Sequence, residues 1–297
     1  MVFPTHLVDN FPGSESNPEE YERFFDSIGD FKLVAYYLAR SCNFYPAYEI
    51  PTDYNCENME ASILKSVPEL KDRETDVVVR SALAGNAEDC LEAGLRSLTG
   101  CKAKKSMDDA LHWFKRVGDP DHPLYLPNVP LRIRVRALSL ISYTYWAFRD
   151  YGNALQHGWA GIYWANEAAY RGFITVQVLN VGLSTLSLRE GGLDTKEKRR
   201  TQPSLVVKFE RDKTRMCLRD ALNSRKPGTK AAALRAARRS KNPLACQCAA
   251  EGCGIEVNNY TSLKKCSGKC PEERKPYYCS RDCQVADWRK HKAVCLA

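Results

Sequence analysis

Between Cys246 and Cys295 the chain places eight of its thirteen cysteines, together with His291, and no other feature restricts its fold as much. The candidate ligands run Cys248, Cys253, Cys266, Cys270, Cys279, Cys283, His291 and Cys295: four pairs, enough donors for two tetrahedral sites. Thiolate and imidazole donors in fours suit Zn²⁺. Lys and Arg outnumber large aliphatic residues in this segment, so an apolar core cannot hold it together. A structural zinc contributes roughly 10–16 kcal/mol in a small peptide. Two zinc ions are therefore the expected cofactors, and the segment is expected to be unfolded without them. Disulfides are the rival account. Residues 1–30 lack the basic start and apolar run of a secretory leader, so a reducing compartment is expected instead.

Local sequence places the ligands. Cys279 with Cys283, and His291 with Cys295, are four residues apart and so share a face of a helix. Gly268 lies between Cys266 and Cys270, and Gly252 and Gly254 flank Cys253; all three permit the tight turns that bring loop thiols together. Cys246 is a ninth donor that competes with Cys248 for a place.

The string Tyr278-Cys279-Ser280, Cys283-Gln284, Asp287-Trp288, His291-Lys292 and Cys295 resembles the second half of a MYND-type zinc finger. The first half departs from the common two-residue spacing, with four residues between Cys248 and Cys253 and three between Cys266 and Cys270; it is similar to a longer-looped form found in fungal MYND proteins. The resemblance covers residues 246 to 295. It implies interleaved sites, with Cys248, Cys253, Cys279 and Cys283 on one zinc and Cys266, Cys270, His291 and Cys295 on the other. It also implies docking of proline-rich segments of partner proteins, with Gln284 and Trp288 forming the pocket. A histidine in seventh place separates the pattern from RING and PHD fingers, and with them from ubiquitin-ligase activity.

Upstream, helical periodicity dominates, and the expected fold class is mainly α. An α-α solenoid-like region is followed by a small C-terminal two-zinc finger. Four segments are expected: 1–74, an N-terminal helical segment; 75–195, a helical-repeat-like region; 196–243, a basic helical connector; and 244–297, the finger. In the first, Asn17 as N-cap, Pro18, Glu19 and Glu20 open a helix that Phe24, Phe25, Ile28, Leu33, Tyr36 and Tyr37 make amphipathic. Tyr45 to Tyr54 reads as a loop. In the second, Ala82-x-x-Gly85 before Gly94-Leu95 is echoed by Ala169-x-x-Gly172 before Gly182-Leu183, and such small residues let helices approach closely. Ser106 with Asp109 caps a third helical stretch. The alternation resembles Sel1-like or tetratricopeptide repeats. Trp146, Trp159 and Trp164 fall at core spacing, His112, His122 and His157 are expected to be structural, and Cys42, Cys56, Cys90, Cys101 and Cys217 are expected as free thiols.

Formal charge is +8, unevenly spread: Lys196 to Lys241 holds sixteen Lys or Arg against four Asp or Glu. Leu205, Val206, Phe209, Met216 and Leu218 predict one more docking helix, broken at Arg225-Lys226-Pro227-Gly228. An Ala- and Arg-rich helix from Thr229 to Lys241 follows, with too little apolar surface for a core. It reads as a solvated connector, as half of a two-part import signal with Arg225-Lys226, or as a nucleic-acid contact extended by Lys264, Lys265, Lys269, Arg274 and Lys275.

No apolar run approaches the roughly 18 residues of a membrane span, and an intracellular protein of nucleus or cytoplasm is expected. The leading expectation is a non-enzymatic adaptor in transcriptional or other regulatory complexes. The alternatives are a nucleic-acid-associated protein and a methyltransferase-related enzyme, since MYND fingers also occur within SET-domain methyltransferases. No stretch here resembles that catalytic domain.

Overall fold

The computed structural model describes residues 31–45, 70, 73–148, 154–190, 217–226, 228–258 and 261–295, and helix predominates among them. In chain order these are α1 (Phe31–Phe44), α2 (Thr75–Leu83), α3 (Ala87–Thr99), α4 (Met107–Gly118), α5 (Leu131–Ala147), α6 (Ala154–Tyr170), α7 (Val176–Glu190), α8 (Cys217–Asn223), α9 (Lys230–Lys241) and α10 (Arg281–Cys295). Two-residue strands β1 (Lys264–Lys265) and β2 (Tyr277–Tyr278) pair antiparallel. The helix start at Asn17, the loop beyond Tyr45, Cys56 and the residues from Leu205 to Met216 lie outside the described residues.

Caps set the helix boundaries. Asn86 accepts from the N–H groups of Glu88 and Asp89, and Ser106 accepts from Asp109, as its position three residues upstream requires. Gly85, at φ +96°, turns the chain between α2 and α3. Each helix from α2 to α7 packs on the next, and α1 lies across α3, α5 and α7. Two faces of the array are therefore covered, and the apolar residues between them close a core containing Leu95, Phe114, Leu138, Ile141, Ile162 and Val178. Trp146 and Trp164 are buried in it and Trp159 packs against it, so all three serve the core.

Two of the glycines in the internal echo sit at close approaches between elements. An added Cβ at Gly94 would sit 2.3 Å from the Phe114 ring, and one at Gly182 would sit 3.1 Å from Leu222. In both cases a missing side chain lets a neighbouring element approach. Gly85 and Gly172 are the paired left-handed turns. The placement of α1 across alternate helices is not part of that recurrence.

Most polar groups buried with the helices are matched, while Arg134 Nε, Arg136 Nε and Gln177 Nε2 have no hydrogen-bond partner among the described residues. Arg96, 1% exposed, bonds Glu92 at 2.8 Å and the Arg73 carbonyl at 2.9 Å, while the Tyr36 hydroxyl donates to the other oxygen of Glu92. Asn43, Ser139 and Thr175 tie α1, α5 and the start of α7 together. Ser139 donates to Asn43 Oδ1 at 2.7 Å, so Thr175 must be the donor across its 2.9 Å contact with Ser139. Cys90, Cys101 and Cys217 are buried thiols, and burial pushes Cys90 up to about 11. His112 and His122 are not isolated: their rings meet edge to face at 5.1 Å, and burial lowers the pKa of both.

Among the described residues no helix is long and apolar enough to cross a membrane.

Replacing Gly94 with Ala forces the Phe114 ring aside and is expected to cost about 1–3 kcal/mol. Gly158, inside α6 with nothing within 4 Å of an added Cβ, should give the opposite sign: Gly158→Ala stabilises by about 0.5–1 kcal/mol through the helical backbone. Urea unfolding of the two variants beside the parent measures both.

Candidate metal centre

Helix α10 is the frame of the site, and its burial pattern is unusual. Among its fifteen residues only Cys283, His291 and Cys295 are buried. The stripe by which an amphipathic helix normally seats itself on a core is here made of donor side chains. Cys283 points into one cluster and His291 with Cys295 into the other, so a single helix is stitched to both.

The first cluster joins Cys248, Cys253, Cys279 and Cys283. Cys248 is positioned by its N–H bond to the Ile255 carbonyl at 2.8 Å, across a turn in which Gly252 and Gly254 take φ of +66° and +70°. Cys279 follows β2 and stands before α10, so it does not share a helix face with Cys283 as their spacing predicts and only the His291–Cys295 pair does; the Ser280 hydroxyl accepts from the Cys283 N–H at 3.2 Å to start α10. Cys253 and Cys279 stand 3.5 Å apart sulfur to sulfur, Cys279 and Cys283 3.5 Å, and Cys283 and Cys253 3.6 Å.

The second cluster joins Cys266, Cys270, His291 and Cys295. Cys266 follows β1 and receives the Gly268 N–H on its sulfur at 3.4 Å. Its sulfur lies 3.7 Å from Cys270 and 4.0 Å from Cys295, and His291 Nε2 is 3.3 Å from both Cys266 and Cys270. Gly268 is required by space, since an added Cβ would lie 2.3 Å from the Cys295 sulfur.

These separations fit zinc. Four sulfurs about 2.3 Å from a tetrahedral ion lie about 3.8 Å from one another, and a disulfide would need about 2.05 Å. Without a cation, such crowding sets the thiols against each other. Bonds to Cys248, Cys253 and Cys279 push the Cys283 thiol far down, while bonding to Cys248 drives Cys253 far up. A divalent ion lets all four act as thiolates together. The two clusters can thus hold two zinc ions, in the interleaved pairing that the MYND resemblance implies. Cys246 belongs to neither: it is buried with its sulfur 3.9 Å from the Arg235 carbonyl, so Cys248 has no competitor.

Gln284 and Trp288 sit one turn apart on α10. Gln284 is half-buried; Trp288 is 41% exposed, with its indole edge-on to His291 at 6.1 Å between ring centroids. Val285 beside them is 64% exposed.

Sequence reasoning missed how firmly the first cluster is seated on the helices. Ile255 forms a bridge with Phe173 just after α6, and Val135 of α5 packs with both around the cysteine cluster. The Glu256 N–H donates to the Gly172 carbonyl at 2.8 Å, and Asn258 and Thr261 donate to carbonyls at the end of α6. The Arg136 guanidinium donates to the Gly252 carbonyl at 2.5 Å. Glu256, 3% exposed, is gripped by Arg225 through both oxygens at 2.8 and 2.9 Å and by Arg235 at 2.6 Å. Helix α9 buries none of its residues, as expected of a solvated helix, but it is clamped and not free. Arg225, the residue that begins the first basic pair, is held by the same carboxylate. The alternation in Ile255-Glu256-Val257 was the available sign of a short extended segment between the cysteines.

A 36-residue stretch, 12% of this chain, is 53% identical to the zinc finger MYND domain-containing protein 10 homolog of Drosophila melanogaster. It spans 8% of that protein's length. No family model matches the chain, and no solved structure matches it. The cysteine-rich module is accordingly similar to a MYND zinc finger in sequence and in the grouping of its donors.

Elemental analysis of the purified full chain is expected to give two zinc ions. Gly268→Ala and Cys295→Ser should each lower the count toward one, whereas Cys246→Ser should leave two. Gly172→Ala tests the seating: at φ +82°, with the Glu256 carbonyl 2.3 Å from an added Cβ, the turn cannot persist. That variant should keep both zincs yet expose the finger to limited proteolysis.

Proposed function

We propose that the finger docks peptides and that the chain is a non-enzymatic adaptor acting through it. The observation that carries the reading is Trp288. A large aromatic side chain is left substantially exposed on a helix whose buried positions are all taken by donors. His291 holds its edge in place, so the exposed face has a set orientation. Beside it Gln284 offers an amide for an extended backbone, and Val285 extends the apolar surface. A flat indole face with a neighbouring amide is the surface that proline-containing extended segments require. Strand β1 is exposed at both positions and pairs with β2 on one side, giving an extended peptide a short edge to align with.

Two further points support a structural role for the zincs. Each cluster has four protein donors, which fills a tetrahedral ion and leaves no position for a reacting water. Beyond the Tyr278 hydroxyl donating to Asp287 and the exposed Lys290–Glu251 pair, the donor helix is seated by its donors alone. The proposed partners are proline-rich segments of other proteins within an intracellular regulatory complex.

Calorimetric titration of proline-rich peptides against the zinc-loaded full chain and its Trp288→Ala variant tests this. Binding to the parent should weaken at least about tenfold in the variant, roughly 1.4 kcal/mol, with two zincs retained in both. Equal affinities, or no binding by the parent, would remove the proposal.

A further inference from the structure

Residues 228–295 carry fourteen Lys or Arg against six Asp or Glu, while the other 229 residues balance at thirty against thirty. The whole formal excess of +8 therefore lies in α9 and the finger. Zinc with four thiolates is a dianion, and with three thiolates and an imidazole a monoanion, so the metal sites offset part of that charge. Their donors are nearly all buried, however, and the surface around them is cationic.

The structure brings the cations of α9 and the finger to one joint. Helix α9 contains no acidic residue and buries none of its twelve, a composition that ordinarily leaves a helix's orientation undetermined. Here it is fixed at three points. Thr229 caps it, accepting from the Ala232 N–H at 3.1 Å. Arg235 holds Glu256 midway. Asn242 closes it, donating to the Glu272 and Lys275 carbonyls at 3.0 Å each. That last clamp sets the C-terminal end of α9, which carries Arg238, Arg239 and Lys241, beside the finger segment that carries Arg274 together with Glu272 and Glu273. Next to that segment Lys265, adjoining Lys264 on β1, and Lys275 converge on Glu272. Arg238, Arg239, Lys241, Lys264 and Arg274 are all exposed, and none is in an ion pair within the described residues.

We infer that this joint is a binding surface for the phosphodiester backbone of nucleic acid. Exposed guanidinium and ammonium groups carried on a helix whose axis is fixed can meet successive phosphates without any loop having to order. The surface offers little for reading bases. Leu234 is the one large apolar side chain of α9, and Tyr277, opposite Lys265 in the hairpin, is half-buried. Binding is therefore sequence-independent and salt-sensitive. An acidic protein segment would need apolar pockets between the cations to seat its alternate side chains, and the cleft along α9, lined by Ala231, Leu234 and Arg238, is shared with the carboxylates of Asp220 and Glu256, which disfavour such a segment there.

The test uses the zinc-loaded full chain and fluorescence anisotropy in about 50 mM salt. The labelled probes are a mixed-sequence DNA duplex of about 20 base pairs, a single-stranded RNA of similar length, and polyglutamate of matching charge. Micromolar binding to nucleic acid is expected, falling linearly in log–log form with salt. In R238A/R239A/K241A, affinity should drop at least about tenfold and the slope should fall by about 2–3, with two zincs retained. Binding to the duplex alone, the single strand alone, or both supports the inference and assigns the source of the phosphates. It is overturned by no binding at this salt, by an unchanged slope in the triple variant, or by polyglutamate binding as tightly as the nucleic acids.

Discussion

The C-terminal module depends on thiolate convergence in place of apolar burial. Fifteen residues of α10 supply three buried side chains, and all three are donors. Without an ion those groups would be a costly cluster of polar sulfur and imidazole in each other's way; with one they become the strongest contacts in the module. This also explains why its sequence can be so basic. A segment held by metal does not need its outward positions for packing, so these can carry charge. Outside the donors, the helix's outward positions hold Arg281, Arg289, Lys290 and Lys292.

The helical body is stabilised in the opposite way, by apolar residues meeting between successive helices and by buried polar networks such as that of Asn43, Ser139 and Thr175. The two regimes join at one short segment. Ile255 packs against Phe173 and Val135, and the next residue, Glu256, is a carboxylate whose side chain is 3% exposed. A buried carboxylate facing two guanidiniums avoids an unpaired charge, and removing either arginine would leave part of that charge uncompensated. Because Arg225 follows α8 and Arg235 lies within α9, the same carboxylate orients both flanking elements.

Legibility from sequence followed the range of the interaction. The donors and their spacing were readable because ligand chemistry is specific and the i, i+4 pairs are local. The cap at Ser106 and the core tryptophans were readable for the same reason: each is a rule about residues within one or two turns. Gly85, Gly94, Gly172 and Gly182 showed as a faint recurrence without showing what each approaches, which is decided by distant partners such as Phe114, Leu222 and Glu256. The seating of the finger was not readable. Gly172 and Glu256, 84 positions apart, meet through backbone atoms, and the backbone leaves no residue-specific trace. Cys246 shows the limit of counting donors: spacing admits it, and only the fold turns its sulfur toward Arg235.

The position of α9 follows from these constraints taken together. Its alanines would suit burial, yet none is buried, and its cations would suit free solvent, yet its axis is fixed. Propensity accounts for its being a helix, since Ala, Leu, Arg and Lys are all strong formers. It does not account for its direction. That is set from outside, by Glu256 in the middle and by the Asn242 amide at the end, so the helix is placed by the finger more than by the body it follows. A cationic helix positioned by the metal-bound module is a single electrostatic unit with it. The charge on α9 therefore belongs functionally to the finger, and releasing the finger from Gly172 would also release the helix.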